Sequence, residues 1–200
     1  MRALSLILVF LLGNAASVQE DTYFPKGTFG TISRYVYAYH LGIFREPSLL
    51  RESQEGGLQS YRFLWLRTFH HAVVIRVDVL NDQTGTLTTK ISSGEAGFGW
   101  PGRKVIDDIS RSLSKAEVKS LLTLFNETHF WAIPTAENVH ETGEDGSDWV
   151  LEGIRDGKYH VVSRWSPCGR SGPGKRAVCS LGRDFAFHLA RLNIPSNEVY

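Results

Sequence analysis

The sequence has no excess of charge of either sign. Its 200 residues include 22 Lys and Arg against 21 Asp and Glu, which gives a formal net charge of +1. Proteins that bind nucleic acid usually carry a basic patch, and many that bind a membrane surface carry a basic amphipathic helix. The sequence contains neither feature, so we expect no nucleic-acid partner and no membrane-surface partner.

The motifs of several enzyme classes are also missing. The chain contains no G-x-S-x-G nucleophile elbow, no H-E-x-x-H zinc motif, no P-loop and no Rossmann glycine pattern. These absences favour a non-enzymatic binding or accessory protein, for which we expect no metal and no cofactor. The alternative is a metal-assisted or acid–base hydrolase that uses histidines together with Glu152. The sequence leaves the ligand, the partner and the oligomeric state open.

The N-terminal segment has the order of a secretory signal peptide. Arg2 precedes an apolar run at 3–13 that is too short to span a bilayer comfortably, and small residues follow it. Cleavage near Ala15 or Ala16 removes residues 1–16. We therefore expect an exported protein, periplasmic or secreted, whose mature chain has no transmembrane segment.

Cysteine is scarce, since the chain contains only Cys168 and Cys179. Their spacing fits neither a C-x-x-C motif nor a zinc knuckle. An even number of cysteines in an exported chain favours a disulfide, which here closes a short loop rich in Gly and Pro. Two free thiols are the first alternative, and a redox or metal-binding pair is the second.

Hydrophobic periodicity predicts one domain over residues 31–200, after an arm at 17–30. Ser114 and Glu117 form a capping box that begins a helix, and a final helix spans about 176–192. Residues 50–60 have the composition of a loop. Another helix is expected to begin near Thr31, where apolar residues recur at helical spacing: Ile32, Tyr35, Val36, Tyr39 and Ile43.

Aromatic and β-branched residues predict strands between these helices. The clearest hairpin is centred on Asp156-Gly157, the dipeptide that a type I′ turn favours, and this turn places Glu152 opposite Val161. Short connections favour antiparallel pairing. The expected class is therefore α+β, with a mostly antiparallel β-sheet and about three helices packed on one face. The predicted strands lie at 60–69, 71–80, 86–93 (edge-like because it is polar), 103–110, 149–155 and 158–165.

The adjacent histidines His70 and His71 lie between two predicted strands. A tight two-residue turn there places Trp65 opposite Arg76 and Phe69 opposite Ala72. Adjacent residues of a strand point to opposite faces, so the pair is poorly arranged to hold one metal ion. We interpret it as a structural turn. The alternatives are part of a binding surface, or a catalytic site that also uses Glu152 and His160.

Glu152 is the one charged residue on an otherwise apolar face of the hairpin. Burying a lone carboxylate is costly, so a buried Glu152 needs a cationic partner. Arg67 and Arg76 lie among the apolar residues of neighbouring strands, and we predict an ion pair between Glu152 and one of them. The alternative is a general acid or base with a shifted pKa.

Two loops carry further candidate residues. The glycine-rich loop at 94–102 presents Phe98 and Trp100, which we predict to be an exposed binding element, together with Tyr23 and Phe24 near the arm. An acidic loop at 135–148 is interpreted as a solvated surface loop. A calcium site is the alternative for that loop, although its spacing does not match an EF-hand.

Four segments together resemble a family of uncharacterised bacterial proteins. They are EPSLL at 46–50, YRFLWLRTFHHAVVIRV at 61–77, LSKAEVKSLLTLFNETHFWAIP at 113–134 and DWVLEGIRDGKYHVVSRWSP at 148–167. The resemblance covers most of the chain from about residue 30. It implies a single domain of bacterial origin and carries no known activity, so it assigns no catalytic residue.

Overall fold

The computed structural model describes residues 23–56, 59–97, 104–136, 145–172 and 174–200. The predicted signal peptide lies outside these ranges, as do Phe98, Trp100 and residues 137–144 of the acidic loop. The described chain forms a six-stranded antiparallel sheet in the order β4-β3-β2-β1-β5-β6, which confirms the predicted class. Its strands are β1 Ser60–Arg67, β2 Val73–Val79, β3 Gly85–Ser92, β4 Val105–Leu113, β5 Ser147–Arg155 and β6 Lys158–Trp165.

Helices cover both faces of this sheet, so the prediction that they share one face is wrong. Strand β1 is central and buried along its whole length. Its Leu64 and Leu66 pack under α1, whereas Phe63 and Trp65 pack under α3 and α4. We call these two sides the α1 face and the α3 face. The helices are α1 Thr31–Ile43, α2 Leu49–Gln54, α3 Lys115–Glu127 and α4 Lys175–Arg183, the last continued by a π-helical turn at Asp184–Leu189.

The link between β1 and β2 is wider than a tight turn. Strand β1 ends at Arg67 and β2 begins at Val73, so His70 and His71 lie in a longer loop. Trp65 therefore faces Val73, and the predicted pairing of Trp65 with Arg76 is wrong. The physical reason is that His-His has no glycine to supply the positive φ angles of a type I′ turn.

The hairpin between β5 and β6 follows the prediction. Asp156 and Gly157 both have positive φ, at 53° and 70°. Glu152 faces Val161, Gly153 faces His160 and Ile154 faces Tyr159, as expected from the turn. Because this register alternates the side chains, Glu152 points to the α1 face and His160 to the α3 face.

Helix α1 begins at the predicted position but turns a different side to the sheet. Its buried apolar residues are Tyr37, Ala38 and Leu41, whereas Ile32 is 78% exposed and Tyr35 is 49% exposed. Apolar residues lie on both sides of this helix, so their spacing alone does not identify the buried side.

Two segments have a different structure from the prediction. The predicted loop at 50–60 contains most of α2, whose N-cap is Ser48. Strand β3 is an interior strand rather than an edge, because β4 lies outside it. The polar side chains of β3 are accommodated because some of them, such as Lys90, are paired with charges from the loop above the sheet.

Two local predictions agree with the structure. Ser114 accepts a hydrogen bond from the Glu117 backbone, and the Glu117 side chain accepts one from the Ser114 backbone, which is the predicted capping box. The sulfur atoms of Cys168 and Cys179 lie 2.06 Å apart, at disulfide-bonding distance. This pair ties the middle of α4 to the segment that follows β6.

Candidate functional site

Glu152 is bound by Arg62, which the sequence did not suggest. The two residues face each other across β5 and β1, on the α1 face. The Arg62 Nε and Nη2 atoms lie 2.7 and 2.6 Å from Glu152 Oε2, and both residues are fully buried. The Tyr159 hydroxyl donates to the other oxygen, Oε1, at 2.8 Å. Both carboxylate oxygens of Glu152 therefore have donors.

The predicted partners of Glu152 are wrong for geometric reasons. Arg67 lies two residues after Trp65 in β1, so both side chains are on the α3 face. There the Arg67 guanidinium lies 4.7 Å from the Trp65 ring centre and pairs with Glu198 at 3.1 Å. Arg76 is on the correct face but belongs to β2, so β1 separates it from Glu152. Arg76 pairs with Glu46 instead.

Glu46 lies in the link between α1 and α2. Its carboxylate is close to three cationic side chains on the α1 face of the sheet. Its carboxylate lies 2.8 Å from Lys90 Nζ, 3.2 Å from Arg76 Nε and 3.6 Å from Arg62 Nη1. Arg62 Nη1 also donates to the Pro47 carbonyl at 2.7 Å, and Lys90 to that of Phe44 at 2.9 Å. The loop between the helices is thereby tied to three strands at once.

The members of this cluster balance one another in charge. The cluster contains three cations and three carboxylates, so its own formal charges cancel in a poorly solvated interior. Arg76 Nη1 completes the set by lying 3.4 Å from Asp78 Oδ2. We call this set the Glu46 network; it comprises Glu46, Arg62, Arg76, Asp78, Lys90, Glu152 and Tyr159.

Burial and pairing act in opposite directions on the central ion pair. Complete burial raises the pKa of Glu152, and the Arg62 guanidinium and the Tyr159 hydroxyl oppose that rise. Burial by itself lowers the pKa of Arg62, but the carboxylates of Glu152 and Glu46 outweigh it and raise that pKa. Arg62 therefore stays charged, and it supplies the cation that a buried Glu152 requires.

The histidines proposed as catalytic candidates are not brought together with Glu152. His160 lies on the α3 face, with Nε2 3.0 Å from the Ile133 carbonyl and its ring against Phe130. His71 contacts the Gly94 carbonyl at 2.7 Å, and His70 lies 3.5 Å from Glu198. The three rings therefore contact separate parts of the fold, and none of these contacts involves Glu152.

A second polar cluster on the α1 face was missed by sequence reasoning. Asp148, assigned to the acidic loop, lies in β5, and Tyr37 of α1 donates a hydrogen bond to its carboxylate. The Tyr37 hydroxyl also lies 3.0 Å from Ser163 Oγ. Burial raises the pKa of Asp148 to about 6, and the Tyr37 hydrogen bond limits the rise. The only sequence signal for the position of Asp148 was its spacing: Asp148, Val150 and Glu152 are two residues apart, as side chains on one face of a strand are.

Burial also affects His40, on the inner side of α1. Desolvation lowers the pKa of His40 to about 4, and a hydrogen bond with the backbone of Ala96 partly opposes this decrease. The ring is therefore neutral at physiological pH. The Asp148 cluster joins α1 to β5 and β6, and His40 joins α1 to the loop that follows β3.

Exposed apolar side chains occur on α1 and on β4. On α1, Ile32 and Tyr35 point outward, and the Tyr35 ring stacks on Tyr39 with 6.1 Å between centroids. On β4, Ile106 is 50% exposed and Ile109 is 57% exposed. The prediction that Phe24 is an exposed aromatic is wrong, because Phe24 is fully buried against Phe29 and Tyr37. Tyr23 is half-buried and donates to the Glu46 carbonyl.

Within the described ranges, no three or more His, Cys, Asp or Glu side chains are grouped so that they could hold a metal ion. No helix in the same ranges has both the length and the apolarity needed to cross a bilayer.

No family model matches this chain, and no curated protein matches it either. The resemblance to uncharacterised bacterial proteins therefore remains an expectation from the four sequence segments.

Proposed function

We propose that the chain is an exported bacterial binding or accessory domain that does not act as an enzyme. The observation that supports this most directly is the state of Glu152, the central residue of the hydrolase alternative. Its side chain is fully buried and its two oxygens are bound by Arg62 and Tyr159. A general base must reach the proton that it removes, and this fully buried carboxylate cannot reach a substrate unless the segments that cover the α1 face move away.

In this proposal, the Glu46 network holds the scaffold together and the outer side of α1 makes the contact with a partner. Ile32, Tyr35 and Tyr39 form an apolar strip on that side. Tyrosine is enriched in protein interfaces, because its ring contributes contact area and its hydroxyl contributes a hydrogen bond. The strip lies on a regular helix anchored by Tyr37 and Leu41, so its side chains are presented by a rigid element.

The export part of the proposal is supported by the order of residues 1–16 and by the Cys168–Cys179 pair at bonding distance. Disulfides persist in oxidising compartments and are rare in the cytosol of most organisms.

The proposal is tested by comparing the untagged mature protein with an Ile32→Ser/Tyr35→Ser variant. Both are used to capture partners from the exported-protein fraction of the bacterium, and Lys119→Ser, an exposed change on α3, is the matched control. We expect a partner that the wild type and the control retain and the double variant loses. Identical capture by all three proteins contradicts a role for α1.

The hydrolase alternative is tested on the same preparations. The purified protein is assayed for bound metals and for hydrolysis of ester, amide and phosphoester substrates. Stoichiometric metal, together with an activity that both Glu152→Gln and His160→Ala abolish in folded protein, would replace the binding proposal. Variants that keep their fold and show no change in any assay agree with it.

A further inference from the structure

Within the described ranges, strand β4 forms an edge of the sheet. It spans Val105–Leu113 and has only β3 as a neighbour among the described strands. Most of its residues are exposed, including Ile106 and Ile109. A long edge strand presents unpaired backbone N–H and C=O groups, which are a template for another strand.

The opposite edge of the sheet, β6, is covered by another segment of the chain. Outside β6, the segment after α3 runs along the strand, where Ser163 N donates to the Thr135 carbonyl at 2.8 Å. The buried Arg164 side chain fixes the same segment by donating from Nη2 to the Pro134 carbonyl at 2.8 Å. The chain thus covers one edge with its own residues, whereas in the described ranges β4 has no such covering strand.

The order of side chains along β4 is self-complementary. Asp107 lies two residues before Ile109, and Arg111 lies two residues after it, all three on one face of the strand. An antiparallel copy of the strand that is centred on Ile109 brings Asp107 opposite Arg111 on both sides of the centre. It also brings the two exposed Ile109 side chains into contact.

Symmetry leaves few other registers. A two-fold axis normal to the sheet keeps each side chain on its own face, so the centre of the pairing must fall on a residue. Centring on Asp108 places two carboxylates opposite each other, which is destabilising. Centring on Ser110 places Ile109 opposite Arg111 and leaves Asp107 without a cation. Of these three centres, only Ile109 places opposite charges together, Asp107 with Arg111, and apolar side chains together, Ile109 with Ile109.

Two further features of β4 fit this register. The ladder between β3 and β4 shifts between Ile91 and Ser92, so a bulge at Ile106 limits regular pairing to the residues from Asp107 onward. Arg111 is held in place, because its guanidinium donates to Glu117 Oε1 at 2.9 Å and to the Leu189 carbonyl at 2.8 Å. Its side chain lies on the same face of the strand as Asp107, because the two residues are four positions apart.

We propose that two copies of the chain associate through β4, antiparallel about Ile109, so that their sheets join into one continuous sheet. Asp107 of each copy pairs with Arg111 of the second copy, and the two Ile109 side chains pack together. This dimer does not depend on the α1 strip, which lies on another part of the surface.

Sedimentation velocity of the mature protein over about 1–200 μM tests the association, and the dimer is the expected species at the upper end. Ile109→Lys places two lysines opposite each other and should weaken the dimer at least about tenfold. Leu80→Lys, which alters an exposed leucine in the link between β2 and β3, is the matched control and should leave the dimer unchanged. Thermal unfolding of each variant confirms that it is folded. A wild type that remains monomeric, or a dimer that survives Ile109→Lys, overturns the proposal.

Single cysteines determine the register independently. Directly opposed residues of an antiparallel pair have Cα atoms about 4.5–5.5 Å apart, within the range that a disulfide bridges. Ile109→Cys should cross-link rapidly on mild oxidation, whereas Asp108→Cys and Ser110→Cys should not, because each faces a different residue of the second copy. Equal cross-linking at the three positions, or preferential cross-linking at 108 or 110, overturns the register and with it the proposal.

Discussion

Arg62 and Glu152 are 90 residues apart in the chain and form a fully buried pair, with Nη2 2.6 Å from Oε2. Removing one partner of such a pair leaves the other charge without compensation, at a cost of about 3–5 kcal/mol. We expect Glu152→Ala to lower the free energy of unfolding by this amount in a denaturant titration. Arg62→Ala should do the same.

A double-mutant cycle separates the pair from its surroundings. The Arg62→Ala/Glu152→Ala protein should lose less stability than the sum of the two single variants, because neither charge is then left alone. Glu127→Ala is the control, since Glu127 is an exposed glutamate on α3. That change should cost less than about 1 kcal/mol. A Glu152→Ala variant as stable as wild type would contradict the buried pair.

Local features of this fold could be read from the sequence, because local residues determine them. Asp156-Gly157 determines the hairpin and its register, and Ser114 with Glu117 determines where α3 begins. The need of Glu152 for a cation also followed from its apolar neighbours. These inferences depend on backbone conformation and on side chains a few residues apart.

The partner of Glu152 could not be read from the sequence, because it depends on which strands are neighbours. Arg62 meets Glu152 only because β1 pairs with β5, after three intervening strands and a helix. The buried side of α1 was also undetermined, since Ile32 and Leu41 are both apolar and only the packing separates them. The features that were wrongly predicted from the sequence are therefore those that depend on long-range packing.

The contact between α4 and the sheet depends on Gly182. A Cβ at this position would overlap the indole ring of Trp149 and lie 3.0 Å from Phe63 Cζ. Alanine gains about 1 kcal/mol of helix propensity over glycine, but overpacking a core costs about 1–3 kcal/mol or more. Because Trp149 is itself fully buried, we expect the overlap to dominate and Gly182→Ala to lower the melting temperature.

Gly30→Ala is the control for that experiment, because no atom lies within 4 Å of a Cβ at Gly30. It should change stability by less than about 1 kcal/mol. If Gly182→Ala were as stable as this control, close packing of α4 on Trp149 would be ruled out.

The Cys168–Cys179 pair should be oxidised in exported protein. The two cysteines are 11 residues apart, and closing a loop of this length stabilises the fold by about 2–3 kcal/mol in the chain-entropy model. Intact mass after alkylation, with and without prior reduction, checks the bond, and unfolding of the reduced protein checks its contribution. Two thiols that alkylate in native protein without a reductant would contradict this prediction.

Asp148 should make stability depend on pH in a direction opposite to that of an ordinary salt-bridged carboxylate. Burial raises the pKa of Asp148 from 3.8 to about 6, so the native state binds this proton more tightly than the unfolded state. The stabilisation is fully present below about pH 3.8 and is lost as the pH rises through 6. Above pH 6, the native protein must hold an ionised carboxylate in a poorly solvated position.

Asp148→Asn removes this titration while keeping an acceptor for Tyr37. Relative to wild type, the variant should therefore gain about 2 kcal/mol of stability between pH 4 and pH 7.5. The lowered pKa of His40 acts in the opposite direction, because its contribution is present above pH 6.5 and is lost as the pH falls to about 4. Since His40 is common to both proteins, it cancels in the difference. Denaturant titrations at several pH values measure that difference, and Asp145→Asn, at an exposed site, controls for the lost charge. A difference that stays flat with pH would show that Asp148 is solvated in the native state.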